Sequence, residues 1–177
     1  MRLALLVLVA LAATPQETAA LARAEEAATR LGGTLKKRVT EEMGKGGPAS
    51  AVTVCSVEAP ALAEKIRAET GVTVGRASLK LRNPANAPPP WVQAWLVAQA
   101  GKPAAQVSPS ATVADGRARV LRPIAVEAPC LACHGPPEAI APEVRAELAR
   151  RYPTDAATGY AVGDLRGALW AEAPVAP

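Results

Sequence analysis

Phenylalanine is absent from the 177 residues, and the aromatic side chains amount to three tryptophans and two tyrosines. A core must therefore be built from Leu, Val, Ile and Ala, and Trp91, Trp95 and Trp170 are the few large rings it can use. One histidine and three cysteines are present. A single histidine excludes bis-histidine ligation within one chain. A Cys/His zinc centre, which takes four ligands, would consume every one of those residues. Neither sign of charge dominates: the net charge is +4, Lys and Arg are interspersed with Asp and Glu, and Lys36-Lys37-Arg38 is the one short basic run. No nucleic-acid footprint results. Paired carboxylates, a nucleophile beside a base and a phosphate-binding glycine loop are all missing.

Long hydrophobic runs are missing too, apart from Leu3 to Ala13. That run is too short for a hydrocarbon core of ~30 Å, which takes about 20 residues. With Arg2 before it and Ala10, Ala12 and Ala13 at its end, it reads as a secretory signal. Residues 1–20 are assigned to that signal, with cleavage between 13 and 20, and residues 21–177 to one domain. No cysteine lies near the cleavage region to carry a lipid. The expected location is periplasmic or otherwise extracytoplasmic, with no membrane span in the mature chain.

What is present is concentrated in Cys130-Leu131-Ala132-Cys133-His134. Two cysteines three apart with histidine directly after the second form the attachment signal for c-type haem. In one helical turn the two thiols project to the same side, where each can form a thioether to a haem vinyl group. His134 then lies under the iron as proximal axial ligand. One covalent haem c is the implied cofactor. With no spare histidine as distal acid or base, peroxidase- or nitrite-type chemistry lacks its groups, so a binding or redox protein is expected rather than an enzyme. For the sixth position the mature chain offers two sulfur ligands, Met43 and the odd cysteine, Cys55. A thiolate lowers the reduction potential and a thioether raises it.

The chain reads as mixed helix and strand. A long amphipathic helix spans residues 16–43, with Leu21, Ala24, Ala28, Leu31, Leu35, Val39 and Met43 on one stripe. Gly32-Gly33 weakens its middle and favours a kink, Gly44 to Gly47 ends it, and Pro48 opens the next helix. Residues 48–70 read as two helical pieces joined near Pro60 and closed by Gly71. A strand is expected over 72–81, a loop over 83–90, and a short helix from Trp91 to Gly101. Strands follow at 106–113 and 117–126, joined as a hairpin by Asp115-Gly116. A helix over 142–152 and a final strand over 166–171 complete an α+β class with an antiparallel sheet.

Four ordered stretches match one pattern: Val54-Cys55-Ser56 with Ala59-Pro60; Gly75-Arg76 and Arg82 to Pro88; Cys130 to Gly135; and Tyr152-Pro153, Asp155, Gly159-Tyr160, Gly163-Asp164 and Arg166-Gly167-Ala168. Together they resemble the Per-Arnt-Sim-like (PAS-like) c-type haem family over most of the mature chain. The resemblance implies a PAS-like antiparallel β-sheet with flanking helices behind the long N-terminal helix. It also implies His/Cys axial ligation, which by position falls on His134 and, as distal ligand, Cys55. Members of that family often serve as sensor ectodomains of signalling proteins, whereas this sequence shows neither a membrane span nor an output domain.

Around such a haem, Arg76, Arg82 and Arg122 are candidate partners for the propionates, with Asn83 and Asn86 as further donors. Trp91, Trp95 and Tyr160 are candidate rings to pack on the porphyrin. Asp155, Asp164 and Arg166 read as turn and loop-tying residues. The resulting expectation is an exported mono-haem protein that senses redox state or a small diatomic ligand such as CO or NO. It would act on a redox or signalling partner protein, Cys55 leaving the iron on reduction. The alternative is a small periplasmic electron-transfer cytochrome c.

Overall fold

The computed structural model describes residues 13–175; the apolar run read as a signal lies, apart from Ala13, outside them. The first helix, α1 (Pro15–Thr53), opens on a capping box: the Glu17 amide donates to the Thr14 hydroxyl (3.2 Å) and the Thr14 amide donates to the Glu17 carboxylate (2.7 Å). Ala24, Ala28, Leu31 and Leu35 of the expected stripe are buried against the sheet. The helix runs straight through Gly32-Gly33, contrary to the expected kink. A Cβ on Gly32 would lie 2.5 Å from Leu169 Cδ1, so this glycine is a notch that seats a sheet residue. The break falls at Gly47 (φ 73°), the left-handed conformation glycine tolerates, and Pro48 restarts the helix.

Next comes a π-helical turn, Val54–Glu58, and then α2 (Ala59–Thr70). The cause is Pro60. It has no N–H to offer the Ser56 carbonyl and its ring clashes with that carbonyl. The chain takes up the misfit by bonding the Ala59 amide to the Val54 carbonyl, five residues back.

Strand β1 (Thr73–Ala77) is half the expected length. It stops because Ser78 folds onto its own neighbour, its hydroxyl bonding the Lys80 carbonyl and accepting from the Lys80 amide (3.1 and 3.2 Å). After α3 (Pro90–Ala98), strands β2 (Ser110–Ala114) and β3 (Arg117–Ala125) form the expected hairpin across Asp115-Gly116, both with positive φ. The single turn α4 (Leu131–His134) and helix α5 (Pro142–Arg151) precede β4 (Leu165–Pro174). That last strand is longer than expected because it is central. The sheet order is β1-β4-β3-β2, all antiparallel, so β4 is paired on both edges.

The sheet separates two layers. On one face Val74, Val120, Ala171 and Ala173 pack under α1 and α2 with Leu31 and Ile66. Fully burying a side chain such as Leu31 is worth about 1.5–3 kcal/mol. On the other face Ala77, Leu121 and Ala168 pack with Val92 and Leu96 of α3 and with the three tryptophans. A third cluster, Val52, Ile140, Val144, Leu148 and Tyr152, joins the end of α1 to α5 and touches Cys133. No described helix is long and apolar enough to cross a membrane.

Candidate functional site

The Cys130–His134 turn is held between α1, α5 and the loop that leads from α5 to β4. Cys130 ends a short 3₁₀ turn, and its sulfur accepts from the Glu127 amide (3.4 Å). Cys133, one turn on, packs against the third cluster. Both are free, half-buried thiols. Burial pushes the Cys133 thiol up to about 11, against the attraction of Arg82 and with further increments from Cys55 and Cys130.

His134 is the most constrained member. Its Nδ1 lies 2.7 Å from the Ala157 carbonyl oxygen. A carbonyl can only accept, so Nδ1 carries the proton and Nε2 is left as a bare lone pair, the tautomer of a metal-binding imidazole. Burial first, then Arg82 and Arg166, push the ring pKa down to about 3, with the Ala157 carbonyl opposing. The ring is therefore neutral at physiological pH.

The Ala157 carbonyl is itself fixed by a buried network. The Asp155 carboxylate accepts from the Ala157 amide (2.8 Å) and from Arg82 Nε (3.0 Å). Arg82 Nη2 donates to the carbonyls of Cys133 and Ala157. The loop is laced down further by backbone bonds from Ala156 to Leu81 (2.8 Å), from Gly159 to Gly135 (2.8 Å) and from Tyr160 to His134 (3.0 Å). The Tyr160 ring stands edge-on to the imidazole at 6.3 Å.

Cys55 lies on the π-helical turn, half-exposed, close enough to Cys133 and Tyr152 to push both of their pKa values up. α5 anchors that turn: Arg151 donates to the hydroxyls of Ser56 (2.8 Å) and Thr53 (3.0 Å). Met43 is on α1 ahead of the Gly47 break. Cations also gather around His134. Arg76 and Arg166 as well as Arg82 act on its ring, and Lys80 and Arg166 lie over the Tyr160 ring at 4.7 and 5.3 Å.

Some residues expected at the site are used elsewhere. Arg122 pairs with Glu25 (2.9 Å) and Thr29 (2.8 Å) and ties β3 to α1. Trp91 stacks edge-on against Trp170 at 6.0 Å and, like Trp95, belongs to the α3 cluster. The Asn83 side-chain Oδ1 caps its own 3₁₀ turn by accepting from the Ala85 amide (3.0 Å), and Asn86 ends that turn. Arg82 is at the site, but its Nε and Nη2 are spent on Asp155 and backbone carbonyls. Conversely, Asp155 and Arg166, which the sequence marks only as loop-tying residues, are part of the site. Asp155 does cap its own loop, which is all a local pattern can show; its partner Arg82 is 73 residues away.

Among the described residues no group of three or more His, Cys, Asp or Glu side chains comes together as a metal cage. The arrangement presents one imidazole nitrogen with a free lone pair, one residue past two free thiols.

None of the curated proteins compared matches the chain. Among solved structures it is similar to the cyanobacterial heme-protein Tll0287, with 28% identity and a TM-score of 0.68 over 92% of this chain and 97% of that one. The model of the Tll0287-like family matches residues 9–174, and the chain belongs to that family.

Proposed function

We propose that this protein is an exported mono-haem c-type protein, PAS-like in its antiparallel sheet and flanking helices, that senses redox state or a small diatomic ligand. The observation that carries the reading is the His134 imidazole, with Nδ1 committed to Ala157 and Nε2 bare, one residue past two free thiols in a single turn. The likeness to a heme-protein over nearly the whole chain supports it. The residues fit the group: Cys130 and Cys133 would hold it covalently, His134 would be its proximal ligand, and Cys55 its distal one. Bound there, an iron porphyrin supplies one-electron exchange and an axial position open to exchange.

The sensing form is favoured by where Cys55 sits. A π-helical turn differs from α-helix by one residue of register, and such turns recur at functional sites. Cys55 is carried on that turn, joined directly to the 39-residue α1, and a change of its register on reduction would move the thiol. Movement of the thiol would pass into the helix that covers the sheet. A redox partner or a signalling partner would read that movement at the surface.

Export is part of the proposal. The capping box at Thr14 lies directly after the apolar run in sequence, and Ala20 is fully buried within α1. Cleavage at the early end of the 13–20 interval preserves both. The test is the absorption and EPR spectrum of holoprotein in both oxidation states, for wild type and Cys55→Ala. A ferric His/thiolate signature that disappears in the variant is expected. Unchanged spectra would remove Cys55 from the iron. A potential well above zero with thioether-type spectra would mark an electron carrier instead.

A further inference from the structure

We infer that Arg76 and Arg166 are the carboxylate-binding pair of this site, holding the two propionates of the porphyrin, with Lys80 as a third cation beside them. The inference rests on the haem reading above and goes beyond it by assigning residues to the acidic edge of the ligand.

The first observation is an imbalance of charge. Arg76, Arg82 and Arg166 are near enough to one another for Arg76 and Arg82 to act on Arg166, yet the one carboxylate in the group, Asp155, is taken by Arg82. Arg76 and Arg166 have no ion-pair partner among the described residues, and unlike Arg23, Arg117 and Arg145, which also lack one, they are half-buried rather than exposed to solvent. Like charges brought together away from bulk water repel unless an anion joins them.

The second observation is an orphan. Arg166 Nε is a buried side-chain nitrogen with no hydrogen-bond partner among the described residues, while its Nη1 donates to the Lys80 carbonyl (3.3 Å). A buried donor left unmade is costly, and guanidinium presents Nε and Nη2 as a planar fork that matches a carboxylate. The third observation is room. Arg166, Lys80, Tyr160 and Gly167 line an open cleft of about 370 Å³. Its acid, Asp164, is occupied by the Ala161 amide (2.8 Å). Arg76 does not line this cleft, whose far wall is Leu96 and Gln99 at the end of α3; it pairs with Leu169 in register on the face covered by α1 and α2.

The test uses the full-length apo-protein titrated with ferric protoporphyrin IX and with its dimethyl ester, in which both carboxylates are capped, followed by the Soret band. Wild type should bind the diacid about 100-fold more tightly than the ester, as two charge-assisted pairs imply. Arg76→Met/Arg166→Met should cut that preference to about threefold or less with ester binding unchanged, and Arg122→Met should keep it in full. Equal binding of diacid and ester by wild type would overturn the inference while leaving the haem reading intact, and needs no variant to fold. Failure of wild type to bind either porphyrin would overturn both.

Discussion

Replacing Asp155 by asparagine tests the support of the His134 ring most sharply. The change keeps an oxygen to accept from the Ala157 amide but removes the charge facing Arg82. Both side chains are buried, at 9% and 12% exposure, so Arg82 would be left as an uncompensated cation. Removing one partner of a buried pair costs about 3–5 kcal/mol. Arg82 keeps its bonds to the Cys133 and Ala157 carbonyls, which places the loss near the low end, about 3 kcal/mol. In a chain of this size each kcal/mol moves the midpoint about 2–4 °C, so Tm should fall by about 6–12 °C. Asp155→Ala also frees the Ala157 amide and should cost about 1 kcal/mol more. Adding Arg82→Met to Asp155→Ala should recover part of the loss, with a coupling of about 2 kcal/mol in a double-mutant cycle. Thermal and urea unfolding of the apo-protein measures all of these. A loss below about 1 kcal/mol for Asp155→Asn, or strict additivity in the cycle, would refute the network as drawn.

Other consequences are as specific. Pro60→Ala restores an N–H that can reach the Ser56 carbonyl, so the π-helical turn should relax to α-helix. The ferric holoprotein should then lose its distal sulfur signature while its haem stays attached, as EPR would show. Gly32→Ala puts a methyl group 2.5 Å from Leu169 Cδ1; overpacking of about 1–3 kcal/mol, offset by about 1 kcal/mol of helix propensity, should leave a net loss of about 0–2 kcal/mol, read from the urea midpoint. Mature protein recovered from the periplasm should begin at or before Thr14 by mass spectrometry. A start after Ala20 would discard the capping box and a buried turn of α1.

The parts of the fold legible in the sequence were those set by local chemistry. The stripe of α1, the Gly47-Pro48 break, the Asp115-Gly116 hairpin and the α5 helix follow from periodicity and from turn and cap residues near in the chain. The Cys130–His134 turn was legible because its chemistry needs adjacent residues at one spacing. What the sequence hid depends on distant partners. The long β4 carries three alanines, a glycine and only a few strand-favouring residues, and it becomes a strand because β1 and β3 flank it. Gly32 looked like a helix breaker and is a seat for Leu169, 137 positions on. Arg82, Arg122 and Arg166 are indistinguishable as single residues. Which of them is spent on Asp155 or Glu25, and which keeps a bare buried nitrogen, is decided by carboxylates brought in from other elements.

The most direct test of the central claim is the covalent bond itself. The full-length chain, produced with the export-side haem-loading machinery, is denatured and examined by intact mass and by absorption after acid-acetone extraction. One haem retained per chain, and lost when Cys130 and Cys133 are both replaced by alanine, is the predicted result. A colourless wild-type chain, or colour that extracts fully into the solvent, would contradict it.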